Sequence, residues 1–256
     1  MPASIKALAL VAMGLFLYSR YLTGSLLFYI NERFVWLTVL ASIGFVLVGL
    51  SYRYRAQHNH HHHDHDGHDP SHQHDDHDHG DHQHSQLTWA GLLLVVSPIV
   101  LGLLIPPKPL GAAAMSNRDL SVKSLTSVAA PESAVISKPK ADKNILDWLI
   151  EFQSAGSPEA LAGEEAKVIG FIYRDERFAP NEFMVSRFTI SCCAADAAPL
   201  GLLVRAPEAV TLPDDAWVEV RGQFETGQLD GEPVPVIAAA EITPTDVPEQ
   251  PYLYPY

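Results

Sequence analysis

The chain is poor in the residues that usually announce chemistry. Its 256 residues contain two cysteines, and these are neighbours, Cys192 and Cys193. A pair this close cannot staple distant parts of a fold, so no disulfide framework is expected. All thirteen histidines lie between residues 58 and 84, leaving none elsewhere. No Ser/His/Asp triad, HExxH helix or phosphate-cradling glycine loop is present, which removes hydrolase and nucleotide-driven readings. Basic residues are scarce toward the C-terminus. From residue 142 onward there are 7 Lys/Arg against 20 Asp/Glu, the whole of the net charge of −13. Such an acidic region repels phosphate backbones, which argues against nucleic acid as a partner.

What the chain does have is apolar length. "ASIKALALVAMGLFLYS" begins a first segment (near 3–22), "FVWLTVLASIGFVLVGLSY" a second (34–52) and "LTWAGLLLVVSPIVLGLLI" a third (87–105). The second and third run 19 residues without a charge, about what a hydrocarbon core of roughly 30 Å requires. The first carries Lys6 but lacks a clean small-x-small cleavage site, so it reads as a retained span rather than a signal peptide. Trp36, Trp89, Tyr18, Tyr21, Tyr52 and Tyr54 gather near the ends, as interfacial aromatics do. No span has a charge at its centre, where an ion path normally shows one. Three such helices suit an accessory subunit or scaffold better than a transporter acting alone.

Three spans place the N-terminus and the histidine loop on one side and the C-terminal region on the other. Arg53 and Arg55, with Lys6, favour a cytoplasmic histidine loop; Arg20, Arg33, Lys108, Arg118 and Lys123 pull the other way. The expectation adopted is a bacterial inner-membrane protein with a cytoplasmic loop and the C-terminal domain opposite.

That loop, "HNHHHHDHDGHDPSHQHDDHDHGDHQH" (58–84), interleaves its thirteen His with seven Asp. Neutral imidazole is a good ligand for zinc, nickel, copper and cobalt, and carboxylate adds a harder oxygen. The candidate ligands are His58, His60, His61, His62, His63, Asp64, His65, Asp66, His68, His72, His74, His77, Asp78, His79, His82 and His84. So dense a set offers many overlapping groups of three or four ligands but cannot fix one geometry. This predicts multi-ion, exchange-friendly binding of a divalent transition metal, zinc foremost, by a segment disordered without it. A solvated polar loop is the bland alternative.

Residues 106–141, rich in Pro, Ala, Ser and Lys, read as a flexible linker. In "DKNILDWLIEF" (142–152), Ile145, Trp148, Leu149 and Phe152 fall on one helical stripe behind a capping Asp or Asn. "SPEALAG" (157–163) has the Ser–Pro start and Gly end of a short helix. The period then changes to two, with strands expected at 166–173, 182–190, 200–204, 216–224 and 233–242. Five strands with a gap after the third, and V-x-G in the first and fourth, match the order of a small all-β, OB-like barrel. An open β-sandwich is the alternative. The expected architecture is therefore an α-helical membrane domain of about three spans (1–105) and an OB-like C-terminal domain (142–256).

Cys192 and Cys193 end the second strand with Asp196 close behind. Adjacent Cα atoms are about 3.8 Å apart, short of the roughly 4.4–6.8 Å of ordinary disulfides. Both are expected as thiols, and on a strand they would face opposite ways. Cys192, Cys193 and Asp196 are candidates for a thiolate metal or redox site; packing in a barrel wall is the alternative.

Three stretches together, "YLTGSLLFYI…R", "RFTISCCAADAAPLGL" followed by "DDAWVEVRGQFE", and "PYLYP", resemble the YcgQ-like two-component permease subunits, bacterial membrane proteins with a C-terminal domain of unknown function. The resemblance spans nearly the whole chain apart from the histidine loop and linker. It implies a partner, a larger polytopic permease subunit, and no particular substrate. The combined expectation is an accessory permease subunit concerned with divalent metal homeostasis. It is a non-enzyme with no organic cofactor and no identified small-molecule substrate. The rival readings are a structural or assembly module, in which the OB-like domain binds protein, and a thiol-redox membrane protein using Cys192 and Cys193.

Overall fold

Leucine, isoleucine and valine dominate both halves of the chain, but at different periods, and two kinds of structure result. The computed structural model describes residues 3–58, 89–116, 138–207 and 211–254. They divide into two units, residues 1–24 with 35–107, and residues 25–34 with 108–256.

The first unit is helical. Helix α1 (Ala3–Leu22) and helix α2 (Val35–His58) pack antiparallel, and helix α3 (Trp89–Leu104) follows. A side chain added at Gly14 would come within 2.8 Å of the Ser42 carbonyl oxygen, so the two backbones meet there. Ser42 Oγ uses that approach to donate to the Gly14 carbonyl at 2.7 Å. Small residues at helix contacts are how helices associate where lipid supplies no hydrophobic drive. Arg20, near the end of α1, donates to the Gly102 carbonyl near the end of α3. Outward, Leu8, Leu47, Leu93 and Leu94 are 61–76 % exposed. Two stretches, Ser4–Leu22 and Glu32–Tyr52, are long and apolar enough to cross a membrane; Trp89–Leu104 is a shorter apolar helix of 16 residues. At 1.5 Å per residue it is about 24 Å long, shorter than the span expected at 87–105.

The second unit is built on a six-stranded sheet. Its strands are β1 (Glu165–Tyr173), β2 (Glu182–Thr189), β3 (Ala198–Arg205), β4 (Trp217–Leu229), β5 (Glu232–Pro244) and β6 (Tyr252–Leu253). The order is β1-β4-β5-β3-β2-β6, and β1 also pairs with β2. β3–β5 and β2–β6 are parallel, the other pairings antiparallel. The five expected strands are all present, but β4 and β5 run farther than the alternation suggested. They form a hairpin closed by Asp230 and Gly231, both at positive φ (53° and 82°); Asp-Gly is the residue pair such a two-residue turn favours. The ladder shifts register at Arg221/Gly222, where a Cβ on Gly222 would lie 2.1 Å from the Ala238 carbonyl oxygen. The V-x-G of this strand marks a bulge.

Two apolar clusters cover this sheet. Helix α5 (Ile145–Ala155) fills one with Ile145, Trp148 and Leu149, against Val168, Val185, Val220 and Phe224. Trp148 meets Phe224 edge-on at 5.0 Å. Asn144 is the cap, in a reciprocal box with Asp147, and Gly156 ends the helix in the left-handed region. The expected short helix at 157–163 is a 3-10 turn (Pro158–Leu161), and Ser157 makes no side-chain cap bond. The other cluster joins Phe171, Phe188 and Trp217 to Met115 of the short helix α4 (Ala112–Ser116). Residues 110–116, at the start of the compositional linker, are thus part of this unit.

Candidate functional site

The chain leaves β2 at Thr189 and turns through Cys192 and Cys193 into a 3-10 turn at Ala194–Asp196. Asp196 holds the turn closed. Its carboxylate accepts the Ser191 amide at 3.1 Å and the Cys192 amide at 2.7 Å, while its own amide donates to the Cys193 carbonyl at 3.0 Å.

Residues 25–34, the connection between α1 and α2, lie along this turn. Ile30 bridges antiparallel to Cys193. The Asn31 amide donates to the Cys192 carbonyl at 3.0 Å, and the Ala194 amide to the Tyr29 carbonyl at 2.8 Å. Buried Asn31 also donates its side-chain NH2 to the Ser191 carbonyl at 3.0 Å. The strap 250–254 completes the arrangement. Tyr252 donates its hydroxyl to the Phe28 carbonyl and accepts the Leu110 amide, both at 2.9 Å. Gln250 donates to Glu32 at 2.7 Å. β6 pairs with β2, and Arg187, buried on β2, donates to the carbonyls of Pro251 (3.0 Å) and Gln250. Desolvation pushes the Arg187 guanidinium down to about 10. Parts of all three stretches that carry the family resemblance, spread between residues 21 and 255, therefore meet at one place.

Neither cysteine packs a core wall or faces away from its neighbour as on a strand. Cys192 is exposed and Cys193 half-buried, and both are free. Their sulfurs are 3.6 Å apart, well beyond the bonded distance of about 2.05 Å. Hydrogen bonding to the Asp196 carboxylate, then to Cys193, pushes the Cys192 thiol up to about 11. In turn the thiol and the turn amides hold Asp196 below the usual carboxylate range. A thiol this reluctant to ionise is a weak nucleophile at neutral pH.

Of the other candidates, His58 is the last residue of α2. The loop residues His60, His61, His62, His63, Asp64, His65, Asp66, His68, His72, His74, His77, Asp78, His79, His82 and His84 lie outside the described residues. Among the described residues no group of three or more His, Cys, Asp or Glu side chains is gathered to enclose a metal ion. Residue types single out the cysteine turn but not Asn31, Arg187 or Tyr252. Their only sequence signal was membership of, or adjacency to, the quoted stretches.

Comparison with known proteins finds relatives of this chain. A 99-residue stretch is 29% identical to "UPF0703 protein YcgQ" of Bacillus subtilis, covering 38% of this chain and 35% of that protein. A longer one, 197 residues at 23% identity, matches a "Putative two-component membrane permease complex subunit" of Streptococcus mutans over 63% of this chain and 72% of that protein. The aligned stretch thus spans about a third of YcgQ's own length. Residues 5–121 match the DUF1980 N-terminal domain and residues 139–255 the DUF1980 C-terminal domain. Helices, cysteine turn and strap all fall within these two matches, and the chain belongs to the DUF1980 family.

Proposed function

We propose that this protein is the accessory subunit of a bacterial inner-membrane permease complex, with a larger polytopic subunit as its partner. The observation that carries the reading is the match to a relative named as a permease complex subunit, joined to apolar helices whose outward leucines only lipid or another membrane protein would cover. Helices without a central charge offer no ion path of their own, so transport falls to the partner. Purification of the tagged chain from gently solubilised membranes is expected to recover one polytopic membrane protein in fixed ratio. Recovery of the chain alone after cross-linking would overturn the proposal.

In this proposal the helical region crosses the bilayer three times. Residues 25–34 join the first two spans yet bond to the turn at 191–196, so both segments face the same side. The chain leaves that side through α2 and must return through α3, with residues flanking the 16-residue helix completing the span. The ring of pairings β1–β2–β3–β5–β4–β1, with β3 and β5 parallel, supports an OB-like barrel. Reporter fusions at residue 70 and after residue 254 are expected to give opposite sidedness, the former cytoplasmic. The same sidedness at both would remove the third span.

The histidine loop gives the complex its ion: a divalent transition metal, zinc foremost, collected at the membrane face. This rests on the loop's thirteen His and seven Asp. Full-length protein is expected to bind several zinc ions, and a variant with loop His and Asp replaced by Gln and Asn is expected to lose most of them. The second reading, an assembly module with an incidental loop, is favoured if that variant retains both partner recovery and metal tolerance of the cells. A thiol-redox role is the weakest reading, since Asp196 keeps the Cys192 thiol protonated.

A further inference from the structure

The cysteine turn is the one chemically distinctive feature that the permease-subunit reading leaves unused. Two exposed or half-exposed thiols gain little from burial, and free surface cysteines are a liability that proteins usually avoid. Here the turn carrying them is fixed by the carboxylate of Asp196, by the amide and side chain of Asn31, and by the bridge to Ile30. A backbone held this firmly presents its side chains in a defined arrangement.

The geometry points to an open, two-sulfur site on Cys192 and Cys193 for a single soft or borderline metal ion, zinc or cadmium in chemical class. Sulfurs 3.6 Å apart suit one ion at a metal–sulfur distance of about 2.3 Å with an S–metal–S angle of about 100°, close to tetrahedral. Asp196 supplies negative charge beside the ion while its oxygens accept the Ser191 and Cys192 amides. The remaining positions fall to water or to a donor on the partner subunit, which suits an ion handed on rather than stored. Binding replaces the thiol protons with the ion: two S–H bonds break, two S–metal bonds form, and up to two protons are released to solvent. Affinity therefore rises with pH. The inference extends the metal reading to a second place in the chain, and it can fail or hold independently of the histidine loop.

The test uses the full-length protein in detergent with the loop His and Asp replaced by Gln and Asn, titrated with cadmium. The expected result is a sulfur-to-cadmium charge-transfer band that saturates at one ion per chain and tightens as pH rises. Cys192→Ser and Cys193→Ser should each weaken binding at least tenfold, with near-ultraviolet circular dichroism unchanged. No band, or a band indifferent to either serine substitution, would overturn the site. Loss of partner recovery by the wild-type chain would instead overturn the permease reading and leave this one standing.

Discussion

Leu93 of α3 is 71 % exposed, while Leu149 of α5 is fully buried, though both are leucines within helices. Across the helical unit the large apolar side chains point outward; across the β unit they line two clusters from which water is excluded. The same residues therefore serve two solvents. In the β unit burial away from water drives folding; between the helices close backbone approach at Gly14 and a hydroxyl bond from Ser42 do the holding.

This contrast can be broken first at Trp148. It is wholly buried and in edge contact with Phe224, so Trp148→Ala should cost about 3–5 kcal/mol. Denaturation of the full-length protein in detergent, followed by near-ultraviolet circular dichroism, is the measurement; a loss under about 1 kcal/mol would mean the cluster is not the core. Gly222→Val should cost about 1–3 kcal/mol through overpacking, because a Cβ there meets the Ala238 carbonyl. Gly44→Ala in α2, with open space around it, should instead be neutral or slightly stabilising in the same assay.

Smaller effects refine the picture. Asn144→Ala removes the α5 cap and should cost about 1 kcal/mol, read as a lower urea midpoint with unchanged slope. Asp175 is held down to about 2, first by its hydrogen bond to Arg177. A carboxyl lowered on folding stabilises the native state above its ordinary value, 3.8, and that stability is lost as pH falls toward 2. Asp175→Asn should lower stability above about pH 4 and flatten the acid limb of the profile, the two proteins converging as pH falls toward 2. Least of all, Leu93→Ala should leave denaturation of the β unit unmoved, and any measurable effect would show that the two units unfold together.

Much of this was legible in the sequence because it is local. Alternation marks five strands, the stripe Ile145–Trp148–Leu149 marks α5, and apolar length marks the two long N-terminal helices. The reading fell short where partners are far apart or signals compete. The β4–β5 hairpin runs past the expected 216–224 and 233–242, through Gly227 and Gln228, to a turn at Asp230–Gly231. The short strand β6 has no periodicity to detect, and its identity comes from β2. Most hidden was the docking of residues 25–34 on the cysteine turn: Ile30 and Cys193 meet through backbone groups, and backbone groups leave no trace in side-chain patterns.

Tyr252 binds the carbonyl of Phe28 on one side and the amide of Leu110 on the other, and this imposes an order of biosynthesis. The connection between the first two helices is made early and emerges at the membrane long before residues 250–254 exist. Its carbonyl at Phe28 must wait, solvated, through synthesis of the entire β unit. Only when the strap leaves the ribosome can β6 add to β2 and Tyr252 close the arrangement. A nascent chain stalled before residue 252 therefore lacks the strand that pairs with Phe188 and Thr189, and leaves that stretch of β2 edge without its partner.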